Sequence, residues 1–328
     1  MSLGKTSAVI SLPKKWLETS GLEKGDLVNL EELMNGALIV TPVKSESAKQ
    51  HEIQIKVELN DDGGSVMRRI VACSLDGYDR ITLVSRVFSP EQQQAIRSIS
   101  SMLYMMVEES EAGKVVLRSI IDESKTSIIS CVERMYAITS SMCRDTLRSV
   151  SEQNIELAKS VVAIEKDVDQ LEFLVYRLIR VAISSISKHD FTYLDYLDYQ
   201  TLVHRIDRVA DQVETIASNV AEVFNKSNSL NNSTYSLMKT VFDIYNQALA
   251  GFLSADISKV DEVINNKKKA ESDIKDLYSE LALLNSLDGS VFISQMIIIN
   301  SLRNIAHYSS DIAELTIDQK YNPRSIMP

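Results

Sequence analysis

The stretch IDRVADQVETIA, residues 206–217, decides how the second half of this chain folds. Its apolar residues recur every three or four positions, which is the spacing of one face of an α-helix. The same apolar pattern returns weakly in LRNIAHYSSDIA, residues 302–313, and residues 155–169 can likewise be aligned with residues 257–271. We interpret these matches as two copies of a three-helix unit.

Glycine and proline are rare around these repeats. Residues 114–322 contain two glycines, Gly251 and Gly289, and no proline, whereas eight of the ten glycines lie in the first 113 residues. Both residue types interrupt helices, so this region predicts long helices joined by short loops, with antiparallel neighbours. Six helices are predicted over about 117–149, 152–187, 193–224, 233–253, 256–284 and 290–316.

The composition is that of a globular protein without a disulfide framework. Of the 328 residues, 45% are hydrophobic and 24% are charged, and the net charge of −10 disfavours a protein that coats nucleic acid. The three cysteines, Cys73, Cys131 and Cys143, lack CxxC spacing, which excludes a zinc finger and fits a reducing cytosol. No apolar run approaches the roughly 20 residues of a membrane helix, so we expect a cytoplasmic protein without membrane insertion.

The first 45 residues have their own pattern of short strands and turns. Strands are predicted at Ser7–Leu12, Leu27–Glu31 and Ala37–Pro42. Pro13 begins a helical turn, and Asn35–Gly36 is a hairpin signal. A unit of about 40 residues can hardly bury a core alone. We therefore expect a homodimer through this head, with Trp16 in the shared core.

Residues 50–115 predict a small α/β unit, because turn residues interrupt them every 10–20 positions. Strands are expected near 51–59, 79–85, 102–108 and 114–120, and helices near 64–76 and 90–100.

Two parts of the chain resemble known families. The segments SLPKKWLETSGLEKGD, residues 11–26, and NGALIVTP, residues 35–42, are similar to an AbrB-type swapped-hairpin domain. The two three-helix units, over roughly 117–317, resemble the PhoU family of phosphate-uptake regulators. The combined order resembles archaeal phosphate uptake regulators that join an AbrB-like head to a PhoU body.

The resemblance implies a multidomain, mainly α-helical fold. The expected parts are an AbrB-like swapped-hairpin head (1–45) and two PhoU-like three-helix units (116–225 and 226–320). Between them lies the small α/β domain (50–115), which matches neither family closely. It also implies a non-enzymatic regulator that couples cellular phosphate status to phosphate transport. The expected partner is a phosphate ABC transporter or a sensor protein.

Two pairs of acidic residues match the characteristic PhoU motif, an acid followed four residues later by Asp. The pairs are Glu165/Asp169 and Asp207/Asp211. Spacing of four places both carboxylates of a pair on one helix face. Two such pairs facing each other need a cation, protons or solvent. The resemblance implies a metal cluster there, and oxygen ligands suit Mg²⁺, Mn²⁺ or iron, with zinc as a further candidate.

The alternative is a solvated acidic face on which Arg205 and Arg208 act as counterions. The second unit departs from the motif. Its aligned residues are Lys267, Glu271, Arg303 and His307. Because two cations replace acids there, we expect any metal in the first unit only.

Two other functions stay open at this stage. One is an AbrB-type transcription regulator of phosphate genes, in which Lys5, Lys14 and Lys15 of the head would contact DNA. Residues 1–44 hold five lysines and five acids, so the head has no net charge to attract phosphates. The other is a carboxylate-bridged metal protein with enzymatic activity, which lacks a candidate nucleophile.

Overall fold

The computed structural model of the chain describes residues 10–32, 38–42, 51–123, 125–184, 191–226, 230–283 and 288–321. The chain divides into two compact units, residues 1–50 and residues 51–328. The fold is multidomain and mainly α-helical, as predicted, with a small β region at the N-terminus and an α/β part before the helices.

The N-terminal unit contains a short helix and a hairpin. These are α1 (Lys14–Thr19) and the antiparallel strands β1 (Val28–Glu32) and β2 (Leu38–Pro42). The second and third predicted strands are thus confirmed. Of the predicted first strand, residues 7–9 lie outside the described residues and residues 10–12 form no strand. The predicted turn at Asn35–Gly36 also lies outside the described residues.

This unit leaves apolar surface uncovered within one chain. Helix α1 buries none of its side chains completely, and Trp16 is half-buried. Leu27 is 74% exposed, and Leu30 and Leu38 are exposed as well. Burial of such side chains against a second copy would remove apolar area from water and stabilise both. The homodimer through the head stays a prediction that this surface motivates.

We expect Trp16→Ala to cost the dimer about 3–5 kcal/mol, because a large aromatic side chain would be lost from the shared core. Light scattering across a dilution series would show the wild-type chain as a dimer and the variant as a monomer at low concentration. Lys15→Ala, on the exposed face of the same helix, should leave the dimer intact. A wild-type chain that is folded and monomeric at all concentrations would contradict this prediction.

A four-stranded sheet follows, covered on one face by two helices. Its strands are β3 (Glu52–Lys56), β4 (Arg80–Val84), β5 (Met105–Ser110) and β6 (Lys114–Ser119), and its helices are α2 (Gly63–Leu75) and α3 (Pro90–Met102). The order is β3-β4-β6-β5, with β3 and β4 parallel and the other pairs antiparallel. Ile81, Leu83 and Leu117 alternate along the strands and pack with Ile70 and Ile96 of the helices. The α/β middle unit is confirmed.

Six long helices follow among the residues that the structure describes. They are α4 (Ile128–Ser151), α5 (Ile155–Ser184), α6 (Tyr193–Lys226), α7 (Asn232–Leu253), α8 (Ser258–Ala282) and α9 (Gly289–Tyr321). The predicted start of the first helix at 117 was wrong. Residues 115–117 are an apolar run buried in β6, and α4 begins only after Ser127, whose hydroxyl accepts from the Ser130 amide. A short apolar run does not by itself distinguish a buried strand from a helix.

The two three-helix units share one hydrophobic core. Helices α6 and α9, which carry the repeated stretches, pack against each other in antiparallel orientation. Arg205 Nε lies 3.0 Å from Asp311 Oδ2, and Asn304 Nδ2 donates to Gln212 Oε1 at 3.1 Å. The division into four domains at the predicted boundaries remains a proposal, since the helical units form one continuous core.

Arg177 of α5 ties the helices to the α/β part. Its side chain is 2% exposed. The guanidinium donates to the carbonyls of Ser74 and Tyr78 at 2.6 and 3.0 Å, and to the carboxylates of Asp79 and Glu123 at 2.8 and 2.7 Å. All of its nitrogens are therefore satisfied, which is the condition for burying a charge.

Gly77, in the turn that follows α2, allows α5 to approach closely. Its φ is +87°, and a Cβ at this position would lie 2.9 Å from Cγ2 of Val181 on α5. Both the backbone conformation and the contact therefore favour glycine.

Candidate metal site between helices α5 and α6

Helices α5 and α6 run antiparallel and bring two groups of metal-ligating side chains together. One group is Glu165, Asp169 and Asp211, and the other is Glu172, His204 and Asp207. Within each group, one ligand atom from every residue lies within 4.8 Å of the others. The four predicted acids thus lie on facing sides of the two helices, but the structure divides them between two groups.

Sequence reasoning missed Glu172 and His204. A signal was present, because Glu172 follows Glu165 by seven residues and His204 precedes Asp211 by seven. Seven residues are close to two helical turns, so these side chains extend the same two faces. The sequence contains no Glu-x-x-His motif, whereas His-x-x-Asp is present at 204–207.

Asp207 is the most enclosed member of the two groups. It is 1% exposed. Its Oδ2 lies 3.2 Å from Nη2 of Arg208, while its Oδ1 has no hydrogen-bond partner among the described residues. A buried carboxylate oxygen without a partner is costly, and a cation is one way to satisfy it.

Glu172 links several side chains of its group. Tyr176 donates its hydroxyl to Oε1 at 2.7 Å, and Nδ1 of His204 lies 3.2 Å from the same oxygen. These contacts hold the imidazole beside the carboxylate. Because Nδ1 faces Glu172, this arrangement leaves Nε2 on the other side of the ring.

Crowding and burial shift the protonation of the acids. Burial, reinforced by the neighbouring Glu172, Asp211 and Asp169 carboxylates, raises the pKa of Asp207 to about 8. Burial, with the Asp169 charge next in size, raises the pKa of Glu165 to about 8 as well. Burial likewise raises the pKa values of Asp211 and Glu214. Without a metal, the groups therefore hold protons at neutral pH that free carboxylates would have released.

These raised pKa values predict that the metal-free protein becomes less stable as the pH rises from about 4 to about 8. In this window the folded protein binds more protons at Glu165 and Asp207 than the unfolded chain does, so the free energy of unfolding falls with pH. Denaturant unfolding of chelator-treated protein at several pH values would measure this slope.

Asp207→Asn should flatten that slope, because the amide stays neutral. Asp167→Asn is the control, since Asp167 is exposed on α5 and belongs to neither group. A metal-free protein whose stability is constant or rises between pH 5 and 8 would contradict the prediction.

Arg208 lies against both groups. Its Nη1 is 2.9 Å from Asp211 Oδ2, and its Nη2 is 3.2 Å from Asp207 Oδ2. Arg205, the other expected counterion, instead pairs with Asp311 and lies over the Tyr308 ring, 5.6 Å from its centroid. Of the two arginines beside the acidic pairs, only Arg208 contacts those acids.

Comparison with known proteins identifies the region that carries these groups. Residues 132–220 match the family model described as the PhoU domain, and residues 3–48 match the one described as antidote-toxin recognition MazE, bacterial antitoxin. Residues 132–220 are thus similar to a PhoU domain. The N-terminal unit is likewise similar to a MazE-type antitoxin domain. No curated protein matches the chain significantly.

Solved PhoU proteins share the helical fold. The crystal structure of PhoU from Pseudomonas aeruginosa matches 58% of this chain and 93% of its own, with 18% identity and a TM-score of 0.53. The phosphate transport system regulatory protein PhoU from Streptococcus pneumoniae matches 59% of this chain and 93% of its own, with 16% identity and a TM-score of 0.50. At such identities the likeness establishes the fold alone.

All six members of the two groups lie within the region that matches the PhoU family model, and their chemistry fits a divalent cation. The group of Glu165, Asp169 and Asp211 offers only carboxylate oxygens, which suit Mg²⁺ and Mn²⁺. The group of Glu172, His204 and Asp207 adds an imidazole, which suits iron or zinc. The unpartnered Oδ1 of buried Asp207 is the observation in the structure that favours a ligand there.

The second, PhoU-like half places cations where the first has acids. Lys267 Nζ lies 2.9 Å from Glu271 Oε1, and His307 Nε2 lies 3.6 Å from the same oxygen. The hydrogen bond from Lys267, more than any other contact, lowers the pKa of Glu271. Among the described residues, this half holds no third group like the two above.

The lysines proposed for DNA contact are only partly described. Lys14 and Lys15 are exposed on α1, and Lys14 lies 3.9 Å from Glu18, which is a weak surface pair. Lys5 lies outside the described residues. Within the described parts of the chain, no helix has both the length and the apolar content needed to cross a membrane.

Proposed function

We propose that this protein is a non-enzymatic, cytoplasmic regulator that couples cellular phosphate status to the activity of a phosphate transporter. The observation that carries the proposal is the PhoU domain at residues 132–220 within a PhoU-like helical body. The PhoU of Streptococcus pneumoniae, which has the same fold, is named as a regulator of a phosphate transport system. A phosphate ABC transporter or an associated sensor is the proposed partner.

A measurement of phosphate uptake by cells of the organism that encodes this protein tests the proposed function. Cells that lack the gene should continue to take up labelled phosphate after transfer to phosphate-rich medium, whereas wild-type cells should stop. The full-length gene should restore the response. Equal uptake in the two strains at every phosphate concentration would overturn the proposal.

We further propose that the two groups between α5 and α6 bind divalent cations, one ion at each group. In this role Glu165, Asp169 and Asp211 hold one ion, and Glu172, His204 and Asp207 hold the other. Their short distances, the raised pKa values and the unsatisfied Asp207 oxygen support this assignment. Ion binding would replace the protons that these acids otherwise retain, so metal affinity should rise with pH.

A second candidate function is transcription regulation through the head. It is supported by the match of residues 3–48 to an antitoxin family and by the exposed Lys14 and Lys15. In a dimer, each contact would occur twice. The sequence of the bound DNA would then be read by a pair of identical heads.

Fluorescence anisotropy with labelled promoter DNA at several salt concentrations tests this second function. Each lysine that neutralises a phosphate contributes about 0.9 to the slope of log affinity against log salt, so Lys14→Ala should reduce that slope. Lys24→Ala is the matched control, since Lys24 is exposed in the same unit outside the proposed contact. Equal slopes for the two variants would mean that Lys14 does not contact DNA.

A further inference from the structure

Arg208 physically connects the two candidate cation groups. Its guanidinium holds one carboxylate of each, Asp211 from the first group and Asp207 from the second, at 2.9 and 3.2 Å. Among the described residues, no other basic side chain contacts members of both groups. The side chain is 42% exposed, so it has an open path to solvent on its outer side.

A divalent cation at either group would be close to this guanidinium. Carboxylate oxygens bind such ions at about 2.0–2.6 Å, and the two oxygens of one carboxylate are near neighbours. Two positive charges on one carboxylate repel each other at short range, more strongly in this half-buried setting than in water. An ion that binds Asp211 or Asp207 therefore competes with Arg208 for the same negative charge.

Arg208 does not satisfy all of its hydrogen-bond donors within the described residues. Its Nε is buried and has no hydrogen-bond partner among the described residues. An arginine that leaves one donor unsatisfied is held less firmly than one with all donors satisfied. Movement of the guanidinium into solvent would hydrate this donor and lower the cost of displacement.

We propose that Arg208 is a displaceable internal cation that couples the occupancy of the two groups. The inference rests on the proposed metal binding. The first ion breaks one of the two contacts that hold the guanidinium. With one contact left, Arg208 leaves the other carboxylate more easily, and the second ion binds more tightly. Because linkage is reciprocal, the coupling is the same whichever group fills first.

Titration of the full-length, chelator-treated chain with Mn²⁺, followed by electron paramagnetic resonance of free Mn²⁺, tests the proposal. The wild-type chain should bind two ions with positive cooperativity. Arg208→Ala should bind the first ion about five- to tenfold more tightly and lose the cooperativity, since roughly 1.4 kcal/mol corresponds to a factor of ten. Arg208→Lys, which keeps the charge but not the two-pronged contact, should lie between them.

Arg205→Ala is the matched control. Arg205 lies on the same helix, one turn from Arg208, but pairs with Asp311 and does not contact either group. Its removal changes the net charge by the same amount, and Mn²⁺ affinity should change less than twofold. Far-ultraviolet circular dichroism would establish that all three variants are helical.

The outcomes separate this inference from the proposed function. If Arg205→Ala tightens binding as much as Arg208→Ala, net charge alone is responsible and the coupling role is overturned. If the wild type binds Mn²⁺ and Arg208→Ala binds it identically, the coupling role is overturned while metal binding stands. If no variant binds Mn²⁺, both the metal site and the role of Arg208 are overturned.

Discussion

Replacement of Arg177 by methionine is expected to lower the free energy of unfolding by about 3–5 kcal/mol, the cost of breaking a buried charge pair. Methionine fills much of the same volume but leaves the Ser74 and Tyr78 carbonyls and the Asp79 and Glu123 carboxylates without their donor. Guanidinium chloride unfolding, followed by circular dichroism, would measure the change.

Arg180→Met is the control for this experiment. Arg180 lies one turn further along α5 and pairs with Asp76, but both side chains are exposed to solvent. An exposed pair contributes about 0.2–1 kcal/mol, so this variant should remain close to wild type. Equal destabilisation by the two substitutions would mean that Arg177 acts only through its charge and not through the buried contacts.

If the proposed site binds a metal, the double variant Asp207→Ala and Asp211→Ala is expected to abolish that binding. It removes one ligand from each group, so neither retains three metal-ligating side chains. Elemental analysis of protein purified from metal-supplemented medium should show the loss, and circular dichroism should show that the bundle remains helical. We expect the metal content to fall at least tenfold, because each group loses a directly binding carboxylate.

The matched control removes two acids outside the groups. Glu156 and Asp167 are exposed on α5 and belong to neither group, so the double alanine variant at these positions should retain the metal. Equal metal content in the wild type and the Asp207/Asp211 variant would mean that these acids are only an acidic face neutralised by Arg208. That result would leave the proposed regulatory role to be judged by phosphate uptake.

The helices were the most predictable part of the fold. Four of the six predicted helices agree with the structure to within three residues at each end, because hydrophobic periodicity and polar breaks are local properties. A fifth, α9, continues five residues beyond its predicted end. The first helix was placed eleven residues too early, since Val115–Leu117 pack in a sheet that forms through distant strands. The repeated stretches lie on α6 and α9, which pack against each other.

The sequence indicated which two helix faces carry the candidate site, but it did not indicate all of the residues that belong to it. Spacing alone placed Glu165, Asp169, Asp207 and Asp211 on two helix faces, and the structure brings these faces together. It also adds Glu172 and His204 one turn away. Which acids group together depends on the relative shift of two antiparallel helices, and no local pattern in either helix records that shift.

The amino-acid sequence by itself determined most of the helices and strands, the repeated units and the acids that share a helix face. These follow from residue spacing over one or two turns, which every helix obeys wherever it packs. Only the tertiary structure decided that Arg208 faces the acids while Arg205 turns to Asp311, and that Arg177 is buried. These contacts depend on which face of each helix points towards its neighbours. That orientation results from the close packing of side chains throughout the core.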